Sequence, residues 1–405
     1  MRILMITPHF PPILTPESVV NAKLARALVG SGVDLNVVTA LEYGIKYEDR
    51  SPFLNKDLGR ITRTPAPIYY RWAKMAGFID RFSKRKLVLY WYLNRARAFA
   101  AKLLQETSFD LLLTRSYPLE TIMLGASLKR RFKIKWVAGI NDPIPYYLTP
   151  WPYTQGRRNP ISDYWSCRKT REALSAADGI IFPGQRLGKY LERNLNLQFG
   201  PKMIVVPHIG WKKQSGHSQG RQIDILHVGT ANSLRISLDF FSYFHKAVQA
   251  QALLRNKVRI IFVGIVNESF KTFVKNNGME SFIAFEGQVS YQESLERISE
   301  ASALLLVEAP LQEGIFLPSK FGDYAVAQKP LLLFSPEQGA ISDLVGGYAH
   351  PGFLGQEQSR FKEGIDRFLK RLAEGQDLSD YAYPRPWEFE ENIVIKNLMD
   401  RLRMV

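Results

Sequence analysis

Apolar positions in this chain fall into short runs of strand length, most of them followed by a proline- or glycine-bearing loop and a segment with helical spacing. Residues 3–7 (Ile-Leu-Met-Ile-Thr) form the first run, ahead of a loop holding Pro8, Pro11, Pro12 and Pro16. A helix is expected over 19–30, with Leu24, Ala27 and Leu28 on its apolar face and Gly30 and Gly32 near its end. Residues 33–39 are the next strand, and this strand–helix–strand order is a βαβ unit of a parallel sheet. The rhythm returns with strands at 110–114, 135–139, 179–183 and 203–207, and with helices over 87–104 and 120–129. After Gly210 the polar, glycine-containing stretch through Arg221 has no periodicity and reads as a linker. A second series follows, with strands at 223–228, 259–263, 282–285, 303–307 and 331–334 and helices between them, one starting near Ser237.

The pattern predicts an N-terminal domain over 1–210, a linker at 211–222 and a C-terminal domain over 223–384. Residues 385–405 are expected as a C-terminal helix able to pack back on the N-terminal domain. Consecutive α/β domains bind ligands near the carboxyl ends of their strands, in the cleft between them. That rule groups four loops: 8–18, 141–146, 229–237 and 314–323.

A chain of 405 residues exceeds one ordinary core, which supports two domains. Its 46% apolar and 23% charged content is that of a folded soluble protein. The single cysteine, Cys167, excludes a disulfide framework and fits a reducing compartment. The opening segment stops at Pro8, too short for a signal peptide, and no apolar run is long enough to span a bilayer. The expected location is cytoplasmic, with peripheral contact on the inner face of the cell membrane. The net charge of +16 is uneven: residues 1–210 carry 32 Lys/Arg against 15 Asp/Glu (+17), and the remainder 22 against 23 (−1). Such segregation points the N-terminal half at a polyanion. Within it, 71–102 interleaves nine cations with aromatic rings, and Lys129–Lys135 continues the theme. The mixture suits an anionic membrane face; it also suits single-stranded nucleic acid or solvated helix faces. With no recognised module present, nucleic acid is not an expected partner.

The richest stretch for chemistry is 316–334, read as a loop, a helix opening near Pro318, a break at Lys329-Pro330 and a buried strand. Lys320 at the helix start suits a phosphate and Asp323, one turn on, suits ribose hydroxyls; an ordinary capped amphipathic helix is the plainer reading. Gly229 permits close backbone approach after a strand, and Arg235 can reach a diphosphate with two donors. Asp142, in Asn141-Asp142-Pro143, lies at the carboxyl end of a strand, where an Asp-Pro turn is the alternative. His9 is either a cleft group or a packed loop histidine. Glu17 with Ser18 is read as a helix-capping pair, and His208 as part of a turn. No G-x-G-x-x-G follows the first strand, which argues against NAD or FAD. Walker A, G-x-S-x-G and metal-ligand spacings are absent, so no cofactor and no metal is expected.

In this order the motifs resemble those of GT-B-fold retaining glycosyltransferases of family 4, of the bacterial surface-polysaccharide type. The residues concerned are Ile6-Thr-Pro-His-Phe-Pro-Pro12, Asn141-Asp142-Pro143, Pro207-His208-Ile-Gly210, Gly229 to Arg235, and Leu317-Pro-Ser-Lys320 with Asp323-Tyr324 and Lys329-Pro330. The resemblance implies two Rossmann-like α/β domains facing each other across a cleft. It also implies a metal-independent hexosyl transfer from a nucleotide-diphosphate donor to a hydroxyl of a lipid-linked or polysaccharide acceptor. Gly229, Arg235, Glu313, Ser319, Lys320 and Asp323 would bind the donor, while Asp142 and His9 would serve the acceptor. The chain departs from the family pattern at several points. A second family Glu, eight positions before Asp323, is replaced by Ile315, with Glu313 nearby; Asn141 stands for an Arg, Gln328 for a Gly, and the first loop lacks Gly-Gly. A catalytically silent subunit that binds a partner or polyanion, and a nucleotide-sugar epimerase, are the competing readings.

Overall fold

The computed structural model describes residues 1–40, 48–64, 87–115, 119–154, 159–213, 222–231 and 234–405. Most of the linker stretch (214–221), part of the basic-aromatic segment (71–86) and residues 232–233 of the Gly229 loop lie outside them. Contacts divide the chain into two compact units. The first comprises Met1–Thr149, Gly156–Val206 and Ile395–Val405, and the second Pro150–Gln155 and Pro207–Val394.

In the first unit, β1 (Arg2–Ile6), β2 (Asp34–Ala40), β3 (Arg60–Thr64), β4 (Leu111–Arg115), β5 (Trp136–Gly139), β6 (Gly179–Phe182) and β7 (Met203–Val205) form a sheet of order β3-β2-β1-β4-β5-β6-β7. Every strand pair is parallel. Its helices are α1 (Pro16–Gly30), α2 (Pro52–Asn55), α3 (Leu87–Glu106), α4 (Leu119–Phe132), α5 (Pro160–Ala176) and α6 (Gln185–Leu195). Strands β1, β4, β5 and β6 are buried almost throughout, as parallel strands covered on both faces must be.

In the second unit, β8 (Ile223–Val228), β9 (Val258–Val263), β10 (Ile283–Gly287), β11 (Ala303–Val307) and β12 (Leu331–Phe334) form a parallel sheet of order β10-β9-β8-β11-β12. Around it run α7 (Leu238–Ala250), α8 (Glu268–Asn276), α9 (Tyr291–Glu300), α10 (Lys320–Ala327), α11 (Ala340–Val345) and α12 (Gln358–Ala373). Helix α13 (Glu391–Met404) begins in the second unit and ends in the first. Phe240, Phe241, Phe244, Phe262, Phe270, Phe282, Phe334 and Phe361 interlock as the core, with ring centroids 4.5–5.9 Å apart in edge and tilted pairs.

Both sheets reverse direction between their first strand and the fourth, at β1/β4 and at β8/β11. Open α/β sheets bind ligands outside the carboxyl ends of the strands at such a point. In the second unit the β8–β11 ladder pairs only Ala303 with Ile225 and Leu304 with Leu226. Beyond it the Val228 N–H donates instead to the fully buried Tyr324 hydroxyl, 2.8 Å away.

One local expectation is corrected. Helix α1 starts at Pro16, and its cap is Thr15, whose side chain accepts from Ser18 N–H. Glu17 is therefore not the capping partner, and its carboxylate is used elsewhere.

Candidate functional site

The second unit gathers two of the expected donor residues around the end of β8. Gly229 follows that strand in the left-handed region, at φ +106°, and a Cβ there would stand 3.2 Å from Lys320 Nζ. Lys320 opens α10, and its Nζ lies 3.0 Å from Nε2 of His227. His227 is 1% exposed, and its Nδ1 faces the Leu305 carbonyl at 3.0 Å. A carbonyl only accepts, so Nδ1 carries the proton and Nε2 offers its lone pair to the ammonium. Burial, then the Lys320 charge, holds the imidazole pKa well below its ordinary value, so it stays neutral.

Arg235 completes the cationic side. Its guanidinium lies over the Tyr153 ring, 5.7 Å from the centroid, and Tyr153 packs edge-on against Phe316 at 5.2 Å. Its Nε is buried and has no hydrogen-bond partner among the described residues. The counter-charge is Glu308, just past β11, 4% exposed and accepting from the Ser335 hydroxyl. Burial pushes the Glu308 pKa up to about 7, against the pull of Ser335, Arg235 and Lys320. Burial and the Arg235 charge push the Lys320 pKa well down, partly offset by Glu308. Two cations thus share one reluctant carboxylate, and an incoming polyanion would favour the charged form of Lys320.

Neighbouring strands extend this site. Gly264 follows β9 at φ +134°, where a Cβ would collide with the Gly229 carbonyl at 2.5 Å, and Gly287 ends β10. The three glycines succeed one another across the sheet, joined by Gly229 N–H to Val263 O (2.7 Å) and Gly264 N–H to Gly287 O (2.6 Å). They form a shelf without side chains. At its far end the buried Oε1 of Gln288 has no partner among the described residues. Two strand spacings separate β8 from β10, about 10 Å, the scale of a nucleoside.

The remaining donor expectations divide. Ser319 precedes α10 but makes no side-chain cap bond. Glu313 stands half-buried beside Gly314, whose backbone bonds to residues 338 and 340. Asp323 is 5% exposed, its Oδ1 accepts from Trp211 N–H at 2.8 Å and its Oδ2 from the Tyr291 hydroxyl at 2.9 Å. These bonds tie α10 to Trp211 and α9. Ile315 is 1% exposed and belongs to the core.

In the first unit, a buried network stands at the ends of β1, β4 and β5. Arg115, 3% exposed, donates from Nε to Asn21 (2.7 Å) and from a terminal nitrogen to Asn141 (3.1 Å), and lies 4.0 Å from Glu17. Asn141 donates to the Glu17 carboxylate at 2.6 Å, and Asn21 to Thr7 and the His9 carbonyl at 2.9 and 2.8 Å. Gly139 leaves room for the guanidinium: a Cβ there would meet it at 2.6 Å. His9 lies half-buried within the field of Glu17, its pKa lowered by burial, and Asp142 is exposed.

Sequence reading passed over Glu308, His227, Tyr153, Gln288 and Arg115. An isolated Glu or Arg after an apolar run was the only signal available for two of them. Among the described residues no His, Cys, Asp or Glu group is arranged to hold a metal ion.

No protein-family model matches the chain, and no curated protein matches it. Solved structures do. One is Anabaena Alr3699/HepE in complex with UDP: 14% identical, 100% of both chains covered, TM-score 0.62. Another is the sucrose-phosphate synthase of Thermosynechococcus elongatus: 14% identical, 100% of this chain and 98% of that one, TM-score 0.66. A third is the putative UDP-N-acetylglucosamine 2-epimerase from Listeria monocytogenes: 9% identical, 98% of this chain and 94% of that one, TM-score 0.56. At these identities the likeness establishes the fold, two parallel α/β sheets of the GT-B kind.

Proposed function

We propose that this chain is a glycosyltransferase that moves a hexosyl group from a nucleoside-diphosphate donor to a hydroxyl of a lipid-linked or polysaccharide acceptor. The observation that carries the reading is Lys320 beside Gly229, with Arg235, whose Nε has no hydrogen-bond partner among the described residues, and a buried Glu308 within its electrostatic reach. Cations of this kind neutralise a diphosphate as it leaves. The nucleoside would lie along the glycine shelf with its base toward Gln288. Neighbours crystallised with UDP or UDP-glucose support a uridine nucleotide. Retention of the anomeric configuration and metal independence follow the family resemblance. In this reading Ser319 and Glu313 border the donor, His9 and Asp142 orient the acceptor, and the protein works at the inner membrane surface.

The direct test is thermal stability against UDP-, GDP-, ADP- and CMP-linked sugars. A ligand at one hundred times its dissociation constant adds about 2.7 kcal/mol. We expect a shift selective for one nucleotide and abolished in Lys320→Ala, whose own unfolding stays cooperative. No shift with any donor overturns the assignment.

Two other readings rest on specific observations. Ile315 in the core and the enclosed Asp323 favour a silent subunit, which would bind a nucleotide without releasing it from a sugar. The epimerase-like neighbour favours interconversion of two free nucleotide sugars, which product analysis without an acceptor distinguishes.

A further inference from the structure

Helix α5 carries apolar residues on two opposite faces, and only one of them is packed. Its buried residues are Thr170, Ala173 and Leu174, all in the second half. None of its first ten residues is buried. In that half Ile161 is 73% exposed, Tyr164 62% and Trp165 49%. At about 100° per residue, positions 161, 164, 165 and 168 share one face, and 170, 173 and 174 point the other way. The exposed face is therefore not an extension of the core that happens to reach solvent. Tyr164 and Trp165 contact edge-on at 5.7 Å, and the Arg168 guanidinium sits over the Trp165 ring at 5.5 Å, braced by Glu172 at 2.8 Å. The aromatic pair is held in place without being covered.

Charge identifies what covers it. Between 157 and 172 the sequence has five cations (Arg157, Arg158, Arg168, Lys169 and Arg171) against two acids, Asp163 and Glu172, within a half that carries +17. A second copy of the same face would bring like charges together. An apolar residue beside Tyr and Trp, with Arg168 and Lys169 on the same exposed half-helix, matches the depth profile of an anionic bilayer, with rings at the headgroups and an aliphatic side chain just below.

We propose that the N-terminal half of α5 is a membrane-docking face, inserting Ile161, Tyr164 and Trp165 shallowly into an anionic phospholipid surface with Arg168 and Lys169 on the headgroups. This deepens the membrane part of the proposed function and does not depend on the donor chemistry, because vesicle binding needs no nucleotide and the donor thermal shift needs no vesicle.

The test is co-sedimentation of the full chain with vesicles of phosphatidylcholine alone or with phosphatidylglycerol added, at low and high salt. The comparison protein is I161S/Y164S/W165S, which keeps the net charge. We expect binding only to the anionic vesicles, a loss of about tenfold or more in the triple variant, and unchanged circular dichroism and thermal unfolding. Equal binding of both proteins, or no binding of the unmodified chain, overturns the proposal. So does a dimer that the triple variant dissolves without any vesicle binding, which would make the face a self-interface.

Discussion

Each unit places an arginine and a glutamate at the carboxyl ends of its central strands, and the two arrangements are opposites. Around Arg115 the donors are used: Asn21 and Asn141 take two of them, and Glu17 stands within ion-pair distance. Around Arg235 an Nε is buried without a partner among the described residues, a second cation lies within its field, and the carboxylate that couples to both is itself reluctant to ionise. Buried polar groups are normally satisfied. A closed network holds strands together, whereas an open one, kept at a cost in stability, is what a ligand site requires.

The largest effect expected from this contrast is in the closed network. Arg115→Met takes the counter-charge from Glu17 and one hydrogen bond from each of Asn21 and Asn141, and should destabilise the first unit by roughly 3–5 kcal/mol, the cost of breaking a buried pair. The survivors should still bind donor normally. The equivalent deletion in the open site, Arg235→Ala, should leave the unfolding temperature nearly unchanged and lower turnover by about 100-fold or more. If calorimetry and donor titration give the reverse pattern, the distinction between scaffold and site collapses.

A smaller effect sharpens the electrostatic side. The free site holds Glu308 with a pKa of about 7. A bound diphosphate adds negative potential and raises that pKa further, so binding takes up a proton. Affinity is then flat below pH 6 and falls as pH rises above 7, by at most about tenfold per unit for one proton. Lys320, with its lowered pKa, loses charge in the same direction. Glu308→Gln should bind donor more tightly than the unmodified chain at pH 8. A dissociation constant for the nucleotide sugar that stays constant from pH 6.5 to 8.5 contradicts this. The smallest effect concerns the far end of the shelf, where Gln288→Ala removes one neutral hydrogen bond. It should weaken donor binding by about 0.5–1.5 kcal/mol, with preference among bases reduced and stability unchanged.

Much of the architecture was legible because parallel strands are local apolar runs. The expected strands at 3–7, 223–228, 303–307 and 331–334 correspond to β1, β8, β11 and β12 within a residue. Gly229, in the loop after β8, and Lys320, at the start of α10, stand side by side. Errors arose where one residue type serves two purposes. Glu17 at a helix start has the look of a cap, yet Thr15 takes that place and Glu17 turns to Asn141, 124 positions away. What a spacing does not show is the company a side chain keeps: Asp323, read as a ribose ligand, also takes a hydrogen bond from Trp211 and one from Tyr291, both distant in sequence.

The order of apolar runs, glycines and prolines by itself determined two parallel α/β sheets, because hydrophobic burial and backbone sterics act over a few residues at a time. It also placed the basic excess in the first half, since charge is additive along the chain. Which polar groups are satisfied was decided only by the tertiary structure. Whether Arg235 keeps an unpaired donor, whether Glu308 prefers its proton, and whether the Ile161 face of α5 is packed or bare all depend on partners distant in sequence. Desolvation, the term that separates a structural charge from a functional one, exists only once the chain is folded.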